Sequence, residues 1–488
     1  MTFLSDLKSL VGVENISENN LERLVYDHDY APVPREIMIM FQTRPDAIVR
    51  TTTSDQVSEV LRTAHQHRVP VTPRGYATWA FGGAMPTRGG VTLDLTQLNR
   101  IEQYDEKRGL LKVQAGVVWK KAMDFLESRK WQLPMYPSSA PSATVGGFAA
   151  TGGLGYGSLK HGYLKNNVVS ATVAFPNGEI ASLQRDIETM EPIPRDGVTL
   201  DQLFSSEGIL CIFLDLTIRL APRGEVEAPV IAAFDRFEDA AEGLEAVSRK
   251  TTPFTLILND GEFLRAKREA GFETVDVPVS GGVVFGQYCG HRGDVKKELE
   301  RFSEITSSHK GIVLSEEEAK LEWEERFYPL RVKRAGPTLL AADLLVPTSA
   351  VIETARYAEK LARDATITAG MDIVAVARDQ TVILPMFFSD ERRTLKFMSH
   401  TAIVKKMIDF VIRTGGRPYG YGVWNSFHLN RAEPERAREL KSLKRKLDPR
   451  NILNPGKTLM AGTRFGLPLP GVVYNSGLEL MWSLRRVF

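Results

Sequence analysis

Cysteine, long apolar runs and an excess of either charge are all scarce in this sequence. Only two cysteines, Cys211 and Cys289, occur among 488 residues, which excludes a disulfide framework, a four-cysteine zinc site and a cysteine-ligated iron–sulfur cluster. No uninterrupted apolar run reaches the roughly 18 residues that span a bilayer, so we expect no membrane span. The 62 basic and 60 acidic residues nearly cancel, which argues against a nucleic-acid-binding protein.

The first residues and the overall composition indicate a globular protein of a reducing compartment. The segment Met1–Asp6 lacks a basic region followed by an apolar core, so we expect no secretory signal and a cytoplasmic location. Hydrophobic residues make up 43% and charged residues 25% of the chain, as in ordinary globular proteins with large cores. The length suggests about three units.

Two stretches of alternating helix and strand patterns predict an α+β fold. In the first half, the apolar positions of residues 57–64 share one helical face. Residues 210–220 alternate in the manner of a long, half-buried strand. The second half repeats strands and helices near residues 230–307 and again after residue 334. This repetition predicts two ferredoxin-like modules that share one sheet.

Glycine concentrates in two segments that carry the predicted chemistry. Residues 73–84 follow a strand, and their glycines allow consecutive backbone N–H groups to form a nest for an anion. Residues 137–157 are poor in charge and rich in small and hydroxyl side chains, so they can run along a large planar ligand. Their glycine spacing is not a dinucleotide fingerprint, because it does not open a βαβ unit with a following acidic residue.

Two further segments complete a family pattern. Residues 205–211 read Ser-Ser-Glu-Gly-Ile-Leu-Cys and lead into the long strand. Residues 447–457 end in Asn-Pro-Gly-Lys after a predicted helix. Together the four segments resemble the FAD-binding family of vanillyl-alcohol oxidase and para-cresol methylhydroxylase. Within it they are most similar to the branch of glycolate oxidase catalytic subunits and D-lactate dehydrogenases.

The resemblance implies which residues hold FAD. The first glycine segment would surround the pyrophosphate, the second would follow the ribityl chain to the isoalloxazine, and the last two would close the adenine end and the returning segment. The implied cofactor-binding residues are Arg74, Gly75, Tyr76, Ala77, Thr78, Ser139, Thr144, Gly146, Gly147, Thr151, Gly152, Gly153, Glu207, Gly208, Ile212, Asn454 and Lys457. Some relatives attach the flavin to a histidine in the first segment, whereas Thr78 occupies that region here. The resemblance therefore implies non-covalent FAD.

The sequence departs from the branch in its substrate region. The His-x-Gly-Asp-Gly-Asn-x-His and Gly-Glu-His-Gly stretches are both missing, so we expect no metal site. Residues 417–429 are more similar to a Gly-x-Tyr-Arg-Thr-His-Leu stretch of the aromatic-alcohol oxidases, without its arginine. The substrate class therefore stays open between a hydroxy acid and another alcohol.

Four residues are the catalytic candidates. His428 is the candidate base for the hydroxyl proton, since flavin oxidation of an alcohol needs a proton acceptor. Tyr421 and Asn425 could line the same pocket. Arg331, in a basic run of the predicted cap, offers the two-point geometry that binds a carboxylate. For each, core packing or a solvated helix face is the structural alternative.

The pattern predicts five segments and a tail of open role. The predicted division is an N-terminal helical segment 1–34, a two-part FAD-binding domain 35–223, a ferredoxin-like cap 224–435, a C-terminal return to the FAD domain 436–460 and an apolar, basic tail 461–488. The tail is too short to span a bilayer. It could dock on the chain itself, on a partner subunit or peripherally on a membrane.

Three functions follow from these features. The leading hypothesis is FAD-dependent oxidation of a 2-hydroxy acid such as glycolate or D-lactate, by hydride transfer to flavin N5. Electrons would pass to a quinone or to a partner protein, such as an iron–sulfur subunit, because this chain cannot hold a cluster itself. The alternatives are oxidation of an aromatic or other alcohol, and a flavin-binding electron-transfer subunit without its own alcohol substrate.

Overall fold

The computed structural model describes residues 2–33, 41, 43–463, 467 and 469–487, which form two compact units. The first unit comprises Met1–Gly153, Tyr163–Pro222 and Gly420–Pro470. The second unit comprises Leu154–Gly162, Arg223–Tyr419 and Gly471–Phe488. The predicted cap began after residue 223 and ended at residue 435. In the structure, the corresponding part of the second unit begins at Arg223 and ends at Tyr419. That finer division stays a prediction.

Short helices surround the sheets of the first unit. The longest of its amino-terminal half, Ser54–His67, starts where the Thr53 hydroxyl accepts a hydrogen bond from Gln56 N, and it ends at the left-handed residue Arg68. The helices of this unit are Phe3–Val11, Asn20–Val25, Ser54–His67, Trp119–Leu126, Val145–Ala150, Leu164–Asn167, Leu200–Leu203, Leu429–Ala432 and Pro434–Leu447, with 3-10 turns at Val13–Asn15 and Ser426–His428.

A small sheet forms the amino-terminal part of the first unit. Its described strands are β1 (Ile16–Ser17), β2 (Ala47–Arg50), β3 (Val71–Arg74) and β4 (Val91–Asp94), in the order β1-β2-β4-β3. Strand β4 runs parallel to β2 and β3, so all three end at the same edge. The loop of residues 75–84 leaves the sheet at that edge, where parallel sheets commonly bind ligands.

A larger antiparallel sheet forms the rest of the first unit. Its strands and a neighbouring strand pair are β5 (Ile101–Asp105), β6 (Leu110–Gln114), β7 (Trp131–Gln132), β8 (Val168–Ala174), β9 (Ile180–Arg185), β10 (Pro192–Ile193), β11 (Ile212–Arg219) and β12 (Ala221–Pro222). The order in the described sheet is β10-β9-β8-β11-β6-β5, and β12 pairs with β7. The long strand expected at 210–220 is β11, the central strand beside β8 and β6.

The C-terminal return is attached to the small sheet. Val71 N donates to Ile452 O at 2.9 Å, and Asn454 N donates to Val71 O at 2.8 Å. Ile452 and Leu453 are buried in the same apolar core as the helix Ser54–His67. These contacts hold the Asn-Pro-Gly-Lys segment beside the strand that leads into the first glycine loop.

The second unit consists of two ferredoxin-like modules. Its strands are β13 (Val226–Phe234), β14 (Thr255–Asp260), β15 (Gly282–Gly290), β16 (Ile312–Val313), β17 (Thr338–Ala341), β18 (Leu344–Pro347), β19 (Gly370–Ala375), β20 (Gln380–Ser389) and β21 (Arg417–Pro418). The order is β16-β13-β15-β14-β19-β20-β18-β21, with β17 beside β20 and every pair antiparallel among the described strands. Each half has the ferredoxin-like strand order, and β14 joins β19, so the prediction of two modules in one sheet and the α+β class are confirmed.

Helices pack on both faces of this nine-stranded arrangement, and a cavity lies on the face that carries the helices Gly261–Glu269 and Glu316–Glu324. The described helices of the second unit are Ser158–His161, Phe237–Lys250, Gly261–Glu269, Arg292–Ser308, Glu316–Glu324, Val351–Asp364, Thr394–Arg413 and Gly471–Ser483, with 3-10 turns at Pro329–Ala335 and Thr348–Ala350. Leu256, Leu258 and Ile373 point into the main apolar core. Because side chains alternate along a strand, Asn259 and Asp372 point to the opposite face.

The C-terminal tail ends in a helix that belongs to the second unit. Glu479 of the helix Gly471–Ser483 accepts hydrogen bonds from Lys405 and Lys406, each at 2.7 Å, and Leu478 is buried. The tail therefore docks on the helix Thr394–Arg413 of its own chain. Within the described residues, no helix is both long and apolar enough to cross a membrane.

Candidate functional site

The loop of residues 75–80 offers a row of backbone donors. Within the described residues, none of its N–H groups has a hydrogen-bond acceptor. Ala77 adopts a left-handed conformation, with φ of 52°, and such a turn points successive N–H groups to one side. Tyr76 is exposed. The loop can therefore bind an anion such as a diphosphate.

The two glycine segments meet at Thr144. A Cβ on Gly75 would lie 2.5 Å from Thr144 Oγ1, so the two backbones approach as closely as only glycine permits. Thr144 also caps the helix Val145–Ala150 by accepting a hydrogen bond from Gly147 N at 3.3 Å. Gly146 N donates to Ala115 O at 2.8 Å. Four predicted cofactor residues, Gly75, Thr144, Gly146 and Gly147, thus form one neighbourhood.

Glu207 occupies the centre of a buried hydrogen-bond network. Its carboxylate accepts from Tyr421 N and Gly422 N, both at 2.7 Å, and from Thr458 Oγ1 at 2.6 Å. Burial raises the pKa of Glu207, while these three donors oppose that shift. Through these three hydrogen bonds the carboxylate joins its own segment to the segments of Tyr421–Gly422 and Thr458. A cofactor contact of Glu207 stays a prediction.

Asn454 and Lys457 extend the same network. Asn454 Nδ2 donates to Glu207 O at 2.8 Å and to Gly83 O at 3.2 Å, and its Oδ1 accepts from Lys457 Nζ. Burial lowers the pKa of Lys457 to about 7, with Asp29 and Glu207 opposing the shift. The third and fourth predicted segments are therefore joined to the first glycine loop through backbone carbonyls.

Arg74 lies in an acidic environment at the end of β3. Its Nη1 donates to His28 O at 2.9 Å, and its guanidinium stacks on the Tyr26 ring, 5.0 Å from the ring centre. Burial lowers the pKa of Arg74, and neighbouring acids led by Asp29 oppose that effect. Burial raises the pKa of Asp29, which accepts hydrogen bonds from Ala31 N and Ala84 N. Arg74 is held beside the amide loop by this arrangement.

Three predicted catalytic residues, Tyr421, Asn425 and His428, lie close together in the sequence, and all three belong to the first unit. Tyr421 OH donates to Glu433 Oε2 at 2.5 Å, and Asn425 Nδ2 donates to Gly420 O at 2.9 Å. His428 ends the 3-10 turn Ser426–His428 and is buried, with 1% of its surface exposed. The Glu207 carboxylate fixes the backbone at the start of this segment, so the segment has one defined position.

The other predicted cofactor residues have mixed surroundings. Ser139 O accepts hydrogen bonds from Ser142 N and Ala143 N in the turn that leads to Thr144. The Thr151 hydroxyl lies within hydrogen-bond distance of Gly147 O and Phe148 O, in the helix that precedes it. Ile212 is buried in the apolar core of the first unit, where it packs among aliphatic side chains. The remaining predicted residues here are Thr78, Gly152, Gly153 and Gly208, of which the glycines have positive φ angles.

A cavity of about 40 Å³ lies in the second unit, between the sheet and the helices Gly261–Glu269 and Glu316–Glu324. Aromatic and aliphatic side chains form most of its wall. Its ionisable lining residues are Lys267, Glu322, Glu325, Arg326, Arg331 and Asp372. The cavity includes Arg331, the fourth predicted catalytic residue.

The two arginines of the cavity have different partners. Arg331 Nη2 donates to Glu325 Oε2 at 2.7 Å, and its guanidinium lies 4.3 Å from the Phe272 ring centre. The Arg326 guanidinium lies over the Trp323 and Phe327 rings, at 4.1 and 4.2 Å from their centres, and its Nη1 donates to Trp323 O. In the described structure, the buried Nε–H groups of Arg326 and Arg331 have no acceptor. Buried unpaired donors of this kind indicate a ligand site.

The floor of the cavity carries two polar pairs. Lys267 Nζ donates to Glu322 Oε2 at 2.6 Å. Asp372 Oδ1 accepts from Asn259 Nδ2 at 2.8 Å, and the two residues are register partners on β14 and β19. Burial raises the pKa of Asp372 to about 6. Within the described residues, no group of metal-ligating side chains is large enough to hold a metal ion.

Sequence reasoning missed several residues of these sites, among them Asp29, Thr458 and Asp372. Asp29 and Thr458 belong to the network of the first unit, and Asp372 belongs to the cavity. Asp372 had a readable signal, because a single acid inside the apolar strand Gly370–Ala375 must find a buried partner. Asp29 and Thr458 carried no comparable signal.

The observed donors fit FAD. Its diphosphate requires consecutive backbone N–H groups, which residues 75–80 provide, and its flat ring requires small-residue walls, which the glycine segments provide. The fold and these donors define a flavin-dependent oxidoreductase.

Comparison with protein families assigns both parts of the chain. Residues 45–184 match the family model described as FAD binding domain, and residues 223–458 match the model described as FAD linked oxidases, C-terminal domain. The chain therefore contains an FAD binding domain and the C-terminal domain of FAD linked oxidases. The predicted cofactor, FAD, and the predicted enzyme class agree with this assignment.

Curated proteins and solved structures are similar over nearly the whole chain. Glycolate oxidase subunit GlcD of Bacillus subtilis is 28% identical, covering 93% of this chain and 96% of its own. D-lactate dehydrogenase of Anaerostipes hadrus is 26% identical, covering 86% and 91%. The crystal structure of p-cresol methylhydroxylase with substrate bound superposes with a TM-score of 0.80 at 17% identity, covering 94% of this chain and 96% of that one. The predicted family and fold are thereby confirmed.

Proposed function

We propose that the protein is an FAD-dependent oxidoreductase that oxidises a small 2-hydroxy acid. The observation that carries the proposal is the cavity of the second unit, where two buried arginine Nε–H groups lack an acceptor within the described residues. A carboxylate supplies such an acceptor. The similarity to a glycolate oxidase subunit and a D-lactate dehydrogenase supports the same substrate class.

In this proposal the first unit binds FAD without a covalent bond. The amides of residues 75–80 and the helix starting at Val145 hold the diphosphate, and Glu207, Asn454 and Lys457 keep the surrounding segments in place. When bound, FAD accepts the hydride from the substrate carbon. Heating or acid should therefore release all of the flavin into solution, and flavin retained on the precipitated protein would contradict this part.

The chain's own residues then have separate tasks. Arg331, with the other cavity arginine, recognises the carboxylate, and His428 accepts the hydroxyl proton. Tyr421 and Asn425 hold the segment that carries His428. Replacing His428 by Gln should slow flavin reduction about 100-fold or more, while Tyr421→Phe tests the hydroxyl bonded to Glu433. Stopped-flow measurement of flavin reduction distinguishes them, since both variants should retain FAD.

Electrons would leave through a partner in this proposal. A protein subunit, such as an iron–sulfur protein, or a quinone would reoxidise the flavin, in the cytoplasm or at a membrane surface. The docked tail retains exposed Val472, Val473, Leu480 and Val487 beside its arginines, which supports a peripheral contact with a membrane or with such a subunit. Co-purification and flotation with lipid vesicles test these two options.

The decisive test is the visible spectrum of the purified protein without oxygen. D-lactate, L-lactate, glycolate and vanillyl alcohol are added separately. Bleaching of the flavin band by one of the hydroxy acids is the expected result. Bleaching by vanillyl alcohol alone would instead favour an aromatic-alcohol oxidase, and a yellow protein that none of them bleaches would favour an electron-transfer subunit.

A further inference from the structure

The tail helix Gly471–Ser483 carries apolar side chains on two opposite sides. On one side, Leu478 is buried and Trp482 packs against the main apolar core of the second unit. A surface helix ordinarily turns polar side chains to the solvent, but the second side of this helix is exposed and apolar. Its large apolar residues, named the outer face below, are Val472, Val473, Leu480, Leu484 and Val487.

Helical spacing makes the outer face one continuous stripe. Leu480 follows Val473 by seven residues, and Leu484 and Val487 follow Leu480 by four and seven, which are intervals that return to the same side of a helix. Leu484 N donates to Leu480 O at 3.1 Å, and Val487 N donates to Leu484 O at 2.8 Å, so the helical turns continue beyond Ser483. The stripe is therefore about 20 Å long.

Polar contacts with the rest of the second unit fix the orientation of this helix. Glu479 accepts hydrogen bonds from Lys405 and Lys406, each at 2.7 Å. Arg485 Nε donates to Asp364 O at 3.2 Å. The helix cannot turn about its axis without breaking these contacts. The chain therefore holds the outer face towards the solvent.

Positive charge exceeds negative charge around the outer face. The acids of this group, Glu479 and Asp409, are both paired with lysines. Arg486 is exposed. An apolar stripe flanked by cations has the polarity and the charge that bind a surface of anionic lipids. The cations of the group are Lys405, Lys406, Arg485 and Arg486.

The size and composition of the outer face favour a lipid surface over a protein. A stable protein interface takes about 20–30 residues from each partner and is centred on aromatic and arginine side chains. The outer face has five large side chains, all of them aliphatic. A second copy of the chain would bring the same small area and the same positive charge. A membrane interface requires only apolar side chains beside cations.

We propose that the outer face binds peripherally to a membrane surface that contains anionic lipids, with its aliphatic side chains at the acyl boundary and Arg485 and Arg486 among the phosphate groups. The tail helix then lies along the membrane. This assignment deepens the proposed function, and it rests on that function only for its purpose, which is to bring the reduced flavin near an acceptor in the membrane.

Vesicle flotation of the full-length, FAD-loaded protein tests the assignment. One set of vesicles is phosphatidylcholine alone, and the other is equal parts of phosphatidylcholine and phosphatidylglycerol. The partition coefficient should be about 10-fold or more higher for the anionic vesicles, since each arginine near such a surface contributes about fivefold. Raising the salt concentration should reduce this difference.

Substitutions on the outer face separate its two contributions. Val473→Gln and Leu480→Gln should each lower the partition coefficient about 5- to 10-fold on both kinds of vesicle. Arg486→Gln should lower it about fivefold on the anionic vesicles and leave binding to phosphatidylcholine unchanged. These three side chains are exposed, so flavin content and the urea midpoint should stay those of the parent.

Matched controls lie elsewhere on the surface. Ile312, on the strand Ile312–Val313, is 68% exposed, and Arg108 is exposed in the first unit. Ile312→Gln and Arg108→Gln make the same kinds of change as the test variants. Both should leave the partition coefficient within twofold of the parent.

Three results would overturn the assignment. They are no flotation with anionic vesicles, equal losses in the control variants, and a dimer in light scattering that Leu480→Gln converts to a monomer. The last result would assign the outer face to a second copy of the chain. Flavin bleaching by hydroxy acids is measured without vesicles, so a protein that is bleached but does not float contradicts only this assignment. A protein that floats but is not bleached contradicts only the proposed function.

Discussion

Glu207 in the first unit and Asp372 in the second are both buried carboxylates, but their hydrogen bonding differs. Glu207 accepts from two backbone amides and the Thr458 hydroxyl. Asp372 accepts only from Asn259 among the described residues. Burial raises the pKa of both carboxyls. The difference therefore lies in the number of donors that the protein supplies to each carboxylate.

The comparison distinguishes a structural carboxylate from one that is available to a ligand. A buried acid with all of its donors supplied by the chain stabilises the fold, because removing it leaves those donors unpaired. A buried acid with few donors costs stability, because little compensates for its lost hydration. Proteins retain such costly groups mostly where a ligand completes them. The predictions below test whether these two carboxylates behave oppositely.

The largest expected effect is the loss of Glu207. Glu207→Ala leaves Tyr421 N, Gly422 N and the Thr458 hydroxyl without an acceptor, which should lower the free energy of unfolding by about 3–5 kcal/mol. Urea unfolding of the FAD-bound protein measures this loss, with Glu188→Ala on the exposed surface as the control. A loss below about 1 kcal/mol would mean that the network does not hold these segments.

Replacement of Asp372 should change the free energy of unfolding in the opposite direction. Its pKa of about 6 in the folded protein exceeds the usual 3.8, so the folded state binds the extra proton and stability falls as pH rises from 4 to 6. Asp372→Asn removes this fall. The variant should match the parent at pH 4 and be more stable at pH 7 by about 1–3 kcal/mol. A variant less stable than the parent at pH 7 would mean that Asp372 stabilises the fold, as Glu207 does.

Lys457 should produce a smaller effect that depends on pH. Burial lowers its pKa from 10.5 to about 7, so the unfolded state binds more protons between these values and stability rises with pH there. Lys457→Met should remove up to about 1.4 kcal/mol per pH unit of that rise. Unfolding curves at pH 7, 8 and 9 measure the slope, and the exposed Lys107→Met should leave the slope unchanged.

The smallest effect on stability is expected at Arg326. Its replacement by Gln breaks no ion pair in the described structure and removes a hydrogen bond from Nη1 to Trp323 O and contacts with two aromatic rings. The free energy of unfolding should change by less than about 1 kcal/mol, while acid binding is lost. A loss of several kcal/mol would show that Arg326 is a structural residue, as Glu207 is.

Local patterns in the sequence were sufficient for much of the fold. The alternation at residues 210–220 predicted β11, because a strand between two neighbours must bury alternate side chains. The repeated order of strands and helices predicted two ferredoxin-like modules, and the structure has that order in each half. The first glycine segment predicted the row of unpaired amides at 75–80, because glycine permits the backbone geometry that such a loop needs.

The roles of individual side chains were less accessible from the sequence. Glu207 was assigned to the cofactor through its motif, and the motif did not indicate that its carboxylate accepts hydrogen bonds from residues more than 200 positions away. Ile212 was assigned in the same way and lies in the apolar core. A motif identifies which residues recur together, whereas the direction of a side chain depends on the strand register and the neighbouring segments.

The sequence alone determined the class of the protein. The glycine segments and the Asn-Pro-Gly-Lys motif are local backbone features, so they can be recognised without the positions of the other residues. Only the tertiary structure decided which charges are paired. Asn259 and Asp372 meet because β14 and β19 pair in one register, 113 residues apart. Among the described residues, Glu325 is the ion-pair partner of Arg331 and not of Arg326. Such pairings depend on distances between segments, which no local pattern contains.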